Sequence, residues 1–168
     1  MNTIPTRVVA VFVALMFLSA PLLAAENPAF LKFHSKGDFA AVLANVKQAL
    51  EAGQFVISAE ENLSKGLENN KQIFPEGKWN SIGFDNVSAV HFCSLVFNQE
   101  VFNINMDWSI LCPFKLSIYS MKKAPQDITV IVQSPTYLLA KDPHVKAKEI
   151  GKKMEERIVA AIKEGLAH

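Results

Sequence analysis

Apolar and polar residues change period several times along the chain, and each change marks an element. Phe30 to His34 alternates weakly, as a short half-buried strand does. Gly37-Asp38 then opens a helix, with Asp38 placed to accept from free amides of the first turn. Phe39, Val42, Leu43, Val46, Ala49 and Leu50 recur at three and four, which is one apolar helical face. Gly53 is expected to end that helix as a left-handed cap. Phe55 to Ala59 follows as a second strand.

Asn62 to Lys71 is polar, with Leu63 and Leu67 four apart, and predicts a short, lightly packed helix. Phe74 to Phe84 holds Pro75, Gly77 and Gly83 and is expected to be a loop pinned by Trp79. Val87 to Cys93 predicts a third strand. Asn98 to Asp107 fits a helix or a strand; a short helix is the expectation taken. The clearest strands come next. Phe114, Leu116 and Ile118 alternate with Lys115, Ser117 and Tyr119, and Ile128, Val130 and Val132 alternate with Thr129, Ile131 and Gln133. Lys122 to Asp127 is the expected turn between them, and Pro135 the end of the second arm. A long amphipathic helix closes the chain from about Pro143 to Leu166. Its apolar stripe is Ala147, Ile150, Met154, Ile158, Ala161, Ile162 and Gly165. This order predicts an α+β fold of two layers, a mostly antiparallel sheet with helices on one face.

The first residues belong to a different pattern. Arg7 precedes Val8 to Leu18, an unbroken apolar run of eleven residues, and Leu23-Ala24-Ala25 offers small residues for cleavage. Eleven helical residues cover roughly 16 Å, about half of a bilayer core. Residues 1–25 are therefore expected to be a signal peptide cleaved near Ala25, making the protein periplasmic or secreted with no stable membrane insertion. An uncleaved anchor is the alternative. Removing 25 of 168 residues leaves 143 from Glu26 onwards, enough for one domain, 26–168. Removing Arg7 from 17 basic residues leaves 16, against 16 acidic ones. That balance argues against nucleic acid as a partner.

Export brings the two cysteines, Cys93 and Cys112, into an oxidising compartment, where a disulfide is the first expectation. Strand parity opposes it. Cys93 points away from Val90 and Phe92, whereas Cys112 shares the parity of Phe114 and Leu116. Taken strictly, the thiols face opposite layers, so a disulfide and two separate thiols both stay open. His91 has the parity of Cys93, and such a pair can hold a metal or a haem iron. No Cys-x-x-Cys-His occurs, and no two of His34, His91, His144 and His168 have helical metal-ligand spacing. Lys115, Tyr119, Thr129 and Gln133 lie on the less apolar sides of their two strands. If those sides coincide, they form a polar patch on the open face of the sheet, suited to a small ligand or a partner chain.

The stretch Leu50-Glu51-Ala52-Gly53-Gln54-Phe55 places a glycine between a helix and a Phe-led strand. Ile110-Leu111-Cys112-Pro113-Phe114-Lys115 leads into Leu116-Ser117-Ile118-Tyr119, and Ser134-Pro135 closes the next strand. In these features the chain resembles the bacterial family known as domain of unknown function 302, over roughly Phe30 to Leu166. Here Cys112 precedes its proline rather than following it, and Cys93-Ser94-Leu95 lacks the proline of the family's Cys-turn. The resemblance implies a TATA-binding-protein-like α+β layer structure and brings no reaction with it.

No nucleophile elbow, phosphate loop, paired carboxylate or zincin helix is found in the sequence. The expected function is thus an exported, non-catalytic binding or accessory domain with an unidentified small molecule or protein as partner, no cofactor, and a homodimer as one form of its working surface. The alternative is a thiol- or metal/haem-dependent redox protein using Cys93, Cys112 and His91.

Overall fold

The computed structural model describes residues 27–168. The expected signal peptide lies outside these residues. Five strands, β1 (Phe30–Lys36), β2 (Val56–Asn62), β3 (Phe84–Cys93), β4 (Phe114–Met121) and β5 (Ala124–Gln133), form one sheet in the order β1-β5-β4-β3-β2. Every neighbouring pair is antiparallel. Five helices accompany them among the described residues: α1 (Phe39–Ala52), α2 (Leu63–Asn69), α3 (Leu95–Phe102), α4 (Pro135–Leu139) and α5 (Val145–Gly165). Consecutive strands β1 and β2 occupy opposite edges, so α1 must cross the sheet between them. It does so beside α5, and the two helices cover one face.

The core lies between these layers. Val90, Phe92, Phe114, Leu116, Ile118, Ile128, Val130 and Val132 point from the sheet towards Val46, Leu50, Met154, Ile158 and Ile162. Period-two burial in β4 shows why the strand forms: Phe114, Leu116 and Ile118 are buried in alternation with Lys115, Ser117 and Tyr119, which are exposed or half-buried. The stripe expected on the closing helix is buried along its whole length. Gly151 joins it, because a Cβ there would come within 2.9 Å of the Pro135 carbonyl oxygen.

Several local expectations are corrected. Gly53 follows α1 with φ −72°, and the left-handed residue is Gln54 at +64°. An added Cβ at Gly53 would first meet the Ala49 and Leu50 carbonyl oxygens, at 3.2 and 3.3 Å, and Arg157 donates to the Gly53 carbonyl at 3.0 Å. The third helix starts at Leu95 rather than Asn98, because Ser94 caps it by accepting from the Phe97 amide. It ends at Phe102, and a separate 3-10 turn covers Met106–Leu111. The hairpin turn shrinks to Lys122 and Lys123, with the Lys122 amide held by the Gly83 carbonyl at 2.9 Å. Beyond β5 the chain makes the short helix α4, with Pro135 in its first turn and Ser134 as its cap. Pro143 precedes α5 instead of lying inside it.

An open sheet face as candidate functional site

Strand alternation sends one half of the sheet residues away from the helices. Register then arranges them in rows. In the first row Phe30 pairs with Gln133, and Lys115 with His91, which pairs in turn with Ala59. The Lys115 amide joins the two halves of that row by donating to Gln133 Oε1 at 3.2 Å. The second row runs Lys32, Ile131, Ser117, Ala89 and Glu61. The third runs His34, Thr129, Tyr119 and Val87. Thr129 Oγ1 lies 3.3 Å from His34 Nδ1. The structure thus brings Lys115, Tyr119, Thr129 and Gln133 onto one face, and His91 stands there with them.

Towards the β4–β5 hairpin this face deepens into a groove of about 610 Å³. Phe84, Val87, Met121 and Ala124 make it apolar, and Tyr119, Thr129 and Asp127 supply its polar groups. A smaller depression of about 170 Å³ lies at the other end, by Phe30, Lys115, Ile131 and Gln133. A third, of about 340 Å³, sits between α1 and the end of α5 on the helical layer, with His168 in its lining.

Cys93 and Cys112 are joined in a disulfide, with their Cα atoms 5.7 Å apart. The parity expectation of opposite layers is corrected. Alternation binds only residues inside a ladder, and β4 begins at Phe114, two residues after Cys112. Cys112 belongs to the end of the 3-10 turn, which delivers it to the last residue of β3. Asn98 Nδ2 donates to Cys112 Sγ at 2.9 Å. His91 stays close in the chain, but its Nε2 is buried without a hydrogen-bond partner among the described residues. The nearest carboxylate oxygen, Glu61 Oε2, is 3.7 Å away. Among the described residues no group of three His, Cys, Asp or Glu side chains is placed to hold a metal ion. With Cys93 in a disulfide, the His91–Cys93 pair offers no thiolate for one.

One cluster is not anticipated by the sequence pattern. The Asp142 side chain is 2% exposed and accepts from the His144 amide at 2.8 Å, from His144 Nδ1 at 2.9 Å and from the Trp108 indole. It braces the 3-10 turn against the start of α5. The Asp-Pro-His order before a helix is the signal that points to it. The His144 amide first, then the Trp108 indole N–H, hold its carboxyl below the ordinary 3.8. A carboxyl depressed in the folded state stabilises above its unfolded pKa, and that contribution is lost as pH falls through the folded value. Urea melts between pH 5 and pH 2 are therefore expected to show stability falling below about 3.8. In Asp142→Asn that part of the slope should be missing. An unchanged slope in the variant would refute the assignment.

These features define a two-layer α+β domain with one face of its antiparallel sheet left open. The chain matches the family described as Domain of unknown function DUF302 over residues 31–164, and it belongs to that family. The crystal structure of an uncharacterized conserved DUF302 protein from Bacillus stearothermophilus has the same fold. It superposes with a TM-score of 0.67 at 15% identity, covering 81% of this chain and 97% of that one. No curated protein matches the chain.

Proposed function

We propose that this protein is an exported, non-catalytic binding or accessory domain, and that the open sheet face is its working surface. One observation carries the reading. Polar side chains from three strands, Lys115, Tyr119, Thr129, Gln133 and His91, share a face that also holds an apolar groove. Converging polar groups beside apolar lining are what a site for a small amphipathic molecule requires. The rigid sheet supplies positions; the groove supplies area. Export, with cleavage near Ala25, fits the Arg7 and Val8–Leu18 pattern.

Decanoate and dodecylamine are suitable probes, one anionic and one cationic. Titration of the labelled protein should move amide resonances of Val87, Tyr119, Met121 and Thr129, with those of α1 and α5 unchanged. Tyr119→Ala should weaken the stronger probe about tenfold, as loss of one buried aromatic contact does. Resonances moving only on the helical layer would refute the face as the binding surface.

A further inference from the structure

We propose that a second copy of this chain covers the open face, in a two-fold pair whose axis runs parallel to β4. The inference rests on the reading of that face as the working surface and names its partner. A two-fold interface is self-complementary, so each residue must suit its mirror position across the axis. With the axis along β4, the β1 edge of one copy lies over the β2 edge of the other. Lys32 and Glu61 sit in the same row at those two edges. Each Lys32 then faces Glu61 of the second copy, twice per pair. An axis across the strands would instead set β1 on β1 and lysine on lysine.

The inner positions agree. Tyr119 meets its own counterpart at the axis. In the first row Gln133 lies opposite His91 of the second copy. The His91 side chain is 21% exposed, so its ring can pack against that glutamine, while its Nε2 is covered within its own chain. One like-charged meeting remains, Lys115 with Lys115. It lies next to the end of the sheet, where the long side chains can carry both ammonium groups to water.

Size and twist are compatible. Five strands about 4.8 Å apart and about seven residues long make a face of roughly 550 Å², so two copies bury about 1,100 Å², above the ~1,000 Å² that marks a specific interface. Sheets stacked face to face cross at about 30°, which displaces an edge residue by roughly 5 Å, within the reach of a lysine stem. The groove by the hairpin extends past these rows through Met121, Ala124 and Asp127, so a small ligand and a second copy can share the face.

Sedimentation equilibrium of the protein tests the pair. A concentration-dependent dimer is expected. Lys32→Glu and Glu61→Lys should each weaken it at least about tenfold, because each creates two like-charged contacts. The double reversal, Lys32→Glu with Glu61→Lys, should restore affinity to within about threefold. Both side chains are exposed, and unchanged melting temperatures will show that the variants fold. A monomer at all concentrations, or a dimer indifferent to the reversals, overturns the proposal. A monomer whose open-face resonances still respond to decanoate or dodecylamine overturns the pair alone. A monomer with no such response overturns the working-surface reading as well.

Discussion

Replacing Phe114 with alanine is expected to cost the fold about 3–5 kcal/mol, the range for a fully buried aromatic side chain. Phe114 is 0% exposed and stands where three elements meet. Its ring is 5.8 Å from that of Phe92 on β3 and 5.4 Å from that of Phe97 on α3. Phe92 in turn meets Phe55 edge-on at 5.4 Å, and Arg157 lies over the Phe55 ring. Truncation would open a cavity that strand and helix backbones cannot collapse to fill, because β3 and β5 hold β4 on both sides. Against a total of about 5–15 kcal/mol for an ordinary domain, the loss is large. Guanidinium unfolding monitored by circular dichroism measures it. Lys115→Ala, one residue further on and pointing the opposite way, should change stability by less than about 0.5 kcal/mol. A Phe114→Ala effect below about 1 kcal/mol would mean that the aromatic cluster is not the centre of the core.

That contrast between neighbouring residues also explains which parts of the fold are legible in the sequence. Phe114 and Lys115 differ because strand side chains alternate strictly, and alternation is visible in sequence wherever one face is buried. The same holds for the stripe from Ala147 to Gly165, where burial follows the helical period. Short elements held by a single cap are harder. Ser94 and Ser134 each start a helix with a side-chain acceptor, yet serine is common in loops, and no apolar period is long enough to arbitrate. Gly53 misleads for a related reason. Glycine after a helix usually signals positive φ, whereas here the left-handed residue is the next one, Gln54.

The candidate site is legible in its membership and not in its pairing. Parity places Lys115, Tyr119, Thr129 and Gln133 on the polar sides of their strands. Only the register makes Tyr119 the direct neighbour of Thr129 and Lys115 that of His91. Strand order matters more still. Lys32 and Glu61 are 29 positions apart in the chain and read as ordinary surface charges. They become complementary edges only because the crossing of α1 sends β1 and β2 to opposite sides of the sheet. The role of Asp142 is hidden for the same reason, since Trp108 reaches it across 34 positions.

Removing the disulfide, by changing both Cys93 and Cys112 to serine, is expected to lower stability by about 3 kcal/mol, the loop-closure value for a separation of 19 residues. The bond ties the end of β3 to the 3-10 turn before β4 and so fences the segment that carries α3. Without it, that segment would gain freedom chiefly in the unfolded chain, where the entropy is counted. A serine hydroxyl in place of the Cys112 sulfur would still accept from Asn98 and limit the native-state change. For a domain of this length the midpoint should fall by roughly 10 °C. Reductant should lower the unchanged protein to the variant's value and leave the variant where it is. A staple of this kind behaves differently from a redox centre. Probe binding at Tyr119 and Thr129, at the far end of the sheet, should survive both reduction and substitution. Loss of less than about 1 kcal/mol on removing both sulfurs would mean that the link contributes little to the fold. Loss of probe binding without unfolding would tie the cysteines to function instead. The expected pair of results, lower stability with binding retained, assigns the disulfide to the scaffold and the open face to the work done on it.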